Sequence, residues 1–520
     1  MAFGDTADYQ SALHSRMLPF KPHKGLNAFL PHEIIYVVLM TGLKKTSLRL
    51  LALIGLFSIV FTACKPKTPS HEAAKKVTFE ETQLDLAGMT PEEKAAADKD
   101  LDWQMNHLGE AYKKIGSRNA KWNLSAEDAL RVWAQRQAFG LNVKGGNMAG
   151  AYSSQALAAG CDDCMIRYID ARVGTNNSGK SAEEIAQVFA GANACLSQSK
   201  YHDIYKYYGA IRTMAAYRQF KQRPEQQIWE CLNQGAEHLA EALEDRELPL
   251  KEANAACEEF VPLLKGYADQ EKLYSRVEKV LLKKWDKTAM TYLVRGKFYC
   301  DYAWFGRSSA YSQNVKPEQW QLFNDRLAIA EEALRRGMEL DPKDGRIPTE
   351  MITVASGQGK GLAEMKKWFE AAMEADPNNY DACEKLAYFL LPRWYGSRAA
   401  MIDFARHCEQ TDAWRGTVPL ILANVHDTYN RFDGATNGSY WLQPDVWPDI
   451  KEAFEKFFRL NPKAISWRHN YARYAYWCQQ WDALSEQLAL MGDDINYDYF
   501  GGQAEFDAMV KQAEQHRKSK

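Results

Sequence analysis

The stretch Leu327-Ala-Ile-Ala-Glu-Glu-Ala-Leu-Arg-Arg-Gly-Met-Glu-Leu-Asp-Pro342 returns in altered form thirty-five residues later as Leu362-Ala-Glu-Met-Lys-Lys-Trp-Phe-Glu-Ala-Ala-Met-Glu-Ala-Asp-Pro377. Leu327, Ala330, Leu334 and Met338 recur at offsets of three and four, as do Leu362, Met365, Phe369 and Met373. Each set therefore lies on one stripe of an α-helix. Eighty-five residues after Leu362, Trp447, Ile450, Phe454 and Phe458 repeat the stripe ahead of Leu460-Asn-Pro462. Each helix should stop at its Asp-Pro or Asn-Pro pair. Proline lacks the N–H a helix needs and drives the residue before it toward extended backbone.

A helical unit repeating about every 34 residues resembles the tetratricopeptide pattern of helix–turn–helix repeats. Phe369, Ala372 and Pro377 fall where that repeat wants an aromatic, a small residue and proline, whereas Met365 stands where alanine is usual. Gly337 and Phe457 occupy the small-residue position unevenly, so helix spacing should vary between repeats. The expected fold is all-α, a tetratricopeptide-like α-solenoid. A chain of 520 residues with 46% hydrophobic and 12% aromatic content can supply core for many such pairs. Residues 287–520 form the clearer repeat region. Residues 90–286 read as a helical N-terminal region with degenerate pairs, opened by Thr90-Pro-Glu-Glu93 and punctuated by Ser125-Ala-Glu-Asp128 and Ser181-Ala-Glu-Glu184, all of capping-box type. Gly145-Gly146 and Thr175 to Gly179 read as loops.

The start of the chain reads as an address. Lys44, Lys45 and Arg49 precede fourteen uncharged residues, Leu50 to Ala63, and small residues then lead into Cys64. The run is short for a bilayer span and suits a signal core. The arrangement resembles a bacterial lipoprotein signal, although Phe61 replaces the usual leucine. That resemblance implies cleavage before Cys64, lipid on its thiol with palmitate among the acyl chains, and anchoring in the cell envelope. Lys65 after the cysteine favours the outer membrane. Residues 40–63 are then the signal peptide, 64–89 a polar, proline-bearing tether, and 1–39 an over-long start, since Met40 sits just ahead of the basic cluster. The first 63 residues carry six Lys or Arg and three acids, so a net charge of −2 for the whole leaves −5 for the remainder. A mildly acidic chain without a concentrated basic face does not fit nucleic acid.

Nine cysteines remain beyond Cys64. Cys161-Asp-Asp-Cys164 has the spacing of a paired site, and three readings stay open: an ordinary turn between helices, a disulfide between Cys161 and Cys164, or metal or redox chemistry. No second pair or histidine set completes a zinc site. Hydrolase elbows, zincin motifs, phosphate loops and dinucleotide fingerprints are missing from the sequence. Gly357-Gln-Gly-Lys-Gly361 reads as a helix-pair turn, His407 and His469 as ordinary helical histidines, and Glu331-Glu332 as helix-surface charge. No catalytic residue, metal site or cofactor is assigned.

The most specific local motif is Leu390-Leu-Pro-Arg-Trp-Tyr-Gly-Ser397. Pro392 should end a helix, Gly396 should allow the turn, and Ser397 should cap the next helix. With Trp368-Phe369 and Asp376-Pro-Asn378 before it and Asp403-Phe-Ala405 after it, the motif resembles an uncharacterised family of bacterial helical-repeat proteins with a Pro-x-Trp-x-Gly-Ser turn. The resemblance covers residues 290–430 and implies fold but no activity. Of fifteen tryptophans, Trp133, Trp229, Trp320 and Trp447 sit at helical periods and read as core. Trp394 with Arg393 and Tyr395 lies on the turn, and Trp414 and Trp441 lie in loop-like stretches, where exposed rings could bind a partner. Two functions follow. One is a lipid-anchored, non-enzymatic scaffold for an envelope protein or peptide, touching the membrane only through its lipid. The other is an outer-membrane glycan receptor using loop aromatics, similar to the tetratricopeptide-type glycan-binding lipoproteins.

Overall fold

Three helix ends show the proline constraint at work. The residues before Pro342, Pro377 and Pro462 adopt nearly the same extended geometry: Asp341 at φ −143°, ψ 89°, Asp376 at −139°, 100° and Asn461 at −131°, 66°. Each still donates its N–H to the carbonyl four residues back, on Gly337, Ala372 and Phe457. The last helical bond is thus kept while the chain is turned out.

A computed structural model describes residues 83–84, 89–140, 143–144, 148–174, 179–308, 312–433, 439–492 and 494–518. The signal, Cys64 and nearly all of the tether lie outside these residues, as do the Gly145-Gly146 loop and Thr175 to Ser178. The described residues belong to one compact unit. A two-residue antiparallel ladder pairs β1 (Gln83–Leu84) with β2 (Val143–Lys144), and otherwise the fold is helical, as expected.

The N-terminal half contains α1 (Pro91–Met105), continued by a π-helical turn into α2 (Ala111–Ile115), then α3 (Asn123–Phe139), α4 (Met148–Ala158) and α5 (Cys164–Val173). There follow α6 (Ala182–Gln198), α7 (Asp203–Tyr217), α8 (Glu225–Glu244), α9 (Leu250–Leu263) and α10 (Gln270–Lys284). The repeat region runs through α11 (Ala289–Arg307), α12 (Pro317–Leu340), α13 (Arg346–Gly357), α14 (Gly361–Ala375), α15 (Tyr380–Phe389) and α16 (Arg398–Gln410). It closes with α17 (Ile421–Asp433), α18 (Val446–Leu460), α19 (Trp467–Trp477), α20 (Trp481–Met491) and α21 (Gln503–Lys518).

Two of the three capping boxes are formed. Thr90 and Glu93 exchange backbone-to-side-chain bonds of 2.8 and 3.2 Å, and Ser181 and Glu184 exchange bonds of 2.7 and 3.2 Å. The Ser125 box is not. The Asn119 carbonyl accepts from Trp122 and Asn123 N–H and starts α3 three residues early, so Ser125 falls inside the helix.

The stripes are buried where periodicity put them. Leu327, Ala330, Leu334, Met365, Phe369, Met373, Ile450 and Phe454 are core, while Met338, Leu362, Trp447 and Phe458 are half-buried at its edge. Gly337 lets α12 approach α13, since a Cβ there would stand 3.0 Å from Ile347 Cδ1. At the equivalent site Phe457 is buried against Trp467 at 5.3 Å between centroids. Asn379 locks consecutive hairpins. Its amide donates to the Gly345 carbonyl and Thr349 Oγ1, and its Oδ1 accepts from Ala382 N–H at the start of α15.

First helices of successive hairpins contact one another, α9 to α11, α11 to α13, α13 to α15 and α15 to α17. A ladder of alternating charge runs along them: Lys297 lies 4.0 Å from Glu258 and 3.8 Å from Glu350, and Lys385 lies 2.7 Å from Glu350.

The cysteine pairing differs from expectation. Cys164 is joined to Cys195, tying α5 to α6, and Cys161 is a buried free thiol. The cause is Asp163, whose carboxylate caps α5 by accepting from Met165 and Ile166 N–H. Cys164 is therefore the first helical residue while Cys161 sits before the cap turn, and the backbone changes direction between them.

Glu331 is more than surface charge. Its carboxylate accepts from Arg335 (2.7 Å), Lys360 (2.8 Å) and Gln358 (2.8 Å), fastening α12 to the turn between α13 and α14. Burial pushes the carboxyl up, but bonds from Lys360 and Arg335 outweigh it and hold the pKa at about 2, against an ordinary 4.5. A lowered carboxyl stabilises the fold fully above pH 4.5 and loses that contribution as pH falls toward 2. Glu331→Gln is expected to cost about 1 kcal/mol at pH 7. The difference from wild type should shrink in denaturant titrations at pH 3, whereas an equal loss at both pH values would assign the effect to packing.

Candidate functional site

The Arg393-Trp394-Tyr395 turn is built by the backbone around it. After α15 ends, Trp394 N–H donates to the Leu391 carbonyl (2.9 Å) and Tyr395 N–H to the Phe389 carbonyl (3.1 Å), while Ser397 Oγ accepts from Ala400 N–H to cap α16. Gly396 is needed for close approach, since a Cβ there would stand 2.2 Å from the Leu390 carbonyl oxygen. Its φ is not in the left-handed region, so bulk, not backbone handedness, demands glycine.

The turn carries Trp394 toward the C-terminal ends of the first helices. Its half-buried indole meets Trp304 of α11 edge-on (6.0 Å, 86°), Phe389 at 5.7 Å and 70°, and Tyr388 at 6.2 Å and 50°. Gly357, ending α13, packs hardest on α12, where a Cβ would stand 2.6 Å from Leu327 Cδ1 and 3.1 Å from Phe323 Cζ, with Trp304 Cζ2 at 3.3 Å. Arg307 lies over Trp304 and Trp320, at 5.6 and 5.2 Å from the ring centroids. Arg393 lies over Tyr388 at 5.0 Å and Phe432 of α17 at 5.9 Å, and donates from Nη2 to the Tyr388 hydroxyl at 2.8 Å. The result is a rim of alternating guanidinium and aromatic groups across the ends of α11, α15 and α17. Tyr388, Tyr395 and Phe432 each keep nearly two fifths of their surface exposed.

Arg393 and Trp394 are thus brought together with partners the sequence did not single out. Trp304, Arg307, Tyr388 and Phe432 all lie in the last turn of a first helix, and that shared position was the available signal. Tyr395 stays at the solvent edge. Trp441, expected among loop aromatics, is buried against Tyr474 and Trp477 at 5.5 and 5.1 Å, because a 3₁₀ turn over Ser439–Leu442 folds it inward. Trp414 is half-buried, edge-on to Phe369, and borders an open cleft of about 400 Å³ with Glu370, Met373, Glu374 and Pro377.

Two titratable clusters lie elsewhere. In α17 the buried His426 bridges the Tyr440 hydroxyl and Asp449 at 2.9 Å each, and Arg406 forks onto both Asp449 oxygens. Burial raises the Asp449 carboxyl, yet the His426 and Arg406 bonds bring it below the usual range. His426, Tyr440 and Asp449 are buried and only Arg406 reaches solvent, so this set braces α16, α17 and α18. Near α1, burial first and then His107 push His202 down to about 4. Its Nδ1 caps α7 by accepting from Ile204 N–H, and its Nε2 lies 3.4 Å from Asp245. Among the described residues no group of three His, Cys, Asp or Glu could hold a metal ion, and no helix is long and apolar enough to cross a membrane.

A family model described as a domain of unknown function, DUF4034, matches residues 312–415. The match spans α12 to α16, and so includes the Asp-Pro helix ends and the Arg393–Tyr395 turn. No curated protein matches the chain.

Gly396→Ala should displace the turn, costing about 2 kcal/mol and disturbing Trp394. Denaturant unfolding read against tryptophan fluorescence checks this; an unchanged midpoint would mean that the Leu390 carbonyl is not in contact there.

Proposed function

We propose that this chain is a non-enzymatic scaffold that docks a protein or peptide partner along the arginine–aromatic rim. The observation that carries the reading is Arg393, exposed yet held between the rings of Tyr388 and Phe432 beside the Trp394 wedge. Aromatic residues and arginine are the types enriched where proteins meet. Here they are preset by packing, which lowers the ordering cost of binding. A glycan receptor would want exposed rings presented as coplanar platforms; the pairs around Trp394 meet at 50° to 86°, which favours the peptide reading.

The lipid anchor at Cys64 and an outer-membrane address belong to the same proposal and rest on the signal-like run before that cysteine. The scaffold would then work within a tether's reach of the membrane, with the partner in the envelope.

Photo-crosslinking tests the surface. A benzoylphenylalanine replacing Tyr395 is expected to give a discrete adduct in cells, lost in Arg393→Ala, while the same group at exposed Lys367 gives none. Adducts equal at both positions, or none from Tyr395, would remove the rim from the function. Labelling with a palmitate analogue should mark wild type and not Cys64→Ala; an unlabelled wild type would sink the anchor.

A further inference from the structure

The arginines of this region divide into two kinds. Arg346, Arg398, Arg406 and Arg431 are neutralised by Asp344, Asp445, Asp449 and Asp427, at 2.6 to 3.1 Å. Arg393 and Arg326 are not. Arg393 is held by two rings and one tyrosine hydroxyl. Arg326 lies over Tyr302 at 3.3 Å and donates to its carbonyl at 3.0 Å. Among the described residues neither has a carboxylate within ion-pair distance. A guanidinium is a planar fork of five N–H donors, and Arg393 spends only one of them on Tyr388. The fork is positioned in advance and exposed, without a counter-charge.

Resting on the scaffold reading, we propose that the docked segment is an acidic peptide. An Asp or Glu carboxylate of the partner takes the Arg393 guanidinium in a forked pair, and an adjoining aromatic or apolar side chain packs against Tyr388, Tyr395 and Phe432. A carboxylate matches the fork in both charge and plane. The exposed rings give the neighbouring side chain an apolar seat. A basic segment would meet repulsion from the unneutralised Arg393. The charge ladder on α9, α11, α13 and α15 supplies no competing acid, because its carboxylates are already paired with Lys297, Lys385 and Arg346.

The test is selection from a random-peptide phage library on the detergent-solubilised full chain, run in parallel on Arg393→Gln and Trp394→Ala. Wild type is expected to enrich peptides with Asp or Glu beside an aromatic or apolar residue. A synthetic consensus peptide should lose affinity about tenfold on Arg393→Gln, and by a similar factor when its acids become Asn and Gln. Arg393→Lys keeps the charge without the fork and should fall between. Arg393 is exposed, so the variant should keep the wild-type circular dichroism spectrum and melting midpoint. Enriched peptides that lack acids but fail on Trp394→Ala would overturn the acidic partner and leave the scaffold. No enrichment over Trp394→Ala would overturn both.

Discussion

The constraint on which this architecture depends is the forbidden helical geometry before a proline. Asp341, Asp376 and Asn461 are forced outward at φ values between −143° and −131°. Each retains its final helical hydrogen bond, so the second helix of a hairpin is cut at a defined residue and not allowed to fray. A helix cut at a fixed place presents its stripe in a fixed register, and the next hairpin must start from a fixed point. Asn379 then completes the junction by bonding backward to Gly345 and Thr349 and forward to Ala382.

Register in turn explains where polar groups go. Helices stacked as neighbours bring every third or fourth side chain of one first helix beside those of the next, and at those places the chain puts Glu258, Lys297, Glu350 and Lys385 in alternation. Each is only partly exposed, so a lone charge would carry a heavy desolvation cost, and alternation offsets it. Glu350 shows the balance: burial pushes its carboxyl up, and Lys385 and Lys297 bring it back below the usual range. Apolar stripes supply most of the cohesion, and the ladder limits which neighbours can pack without stranding a charge.

What the sequence made legible was mostly local. Helical stripes, Thr90 and Ser181 caps, the Gly359-Lys360-Gly361 turn and the Ser397 cap follow from residue type and spacing. Most of what it did not show depended on contacts far along the chain. Cys164 meets Cys195 only because Asp163 turns the chain before α5. Trp441 is buried because the 3₁₀ turn carrying it folds it against Tyr474 and Trp477 of α19. Ser125 lost its capping role to a turn at Asn119 that no box pattern describes. The candidate surface was half legible: the Pro-x-Trp-x-Gly-Ser turn drew attention to Arg393 and Trp394, whereas Trp304, Arg307 and Phe432 join them from other helices, the outermost two, Trp304 and Phe432, lying 128 residues apart in the chain.

The rim also follows from the hairpin rule. When second helices are cut at constant places, first helices end near one another, and whatever their last turns carry is collected along one edge. Ordinary turns would place small polar residues there. This chain instead places Trp304, Arg307, Tyr388, Arg393, Trp394 and Phe432, and close packing nearby demands glycines: Gly357 lets the end of α13 seat on Leu327, Phe323 and Trp304, and Gly396 lets the Leu390 carbonyl pass. Glycines kept where a turn and a helix end pack this closely stabilise little by themselves. They make sense if the edge is to be rigid, with its guanidinium oriented before anything arrives, because rigidity at a surface lowers the cost of ordering on binding more than it raises the stability of the fold.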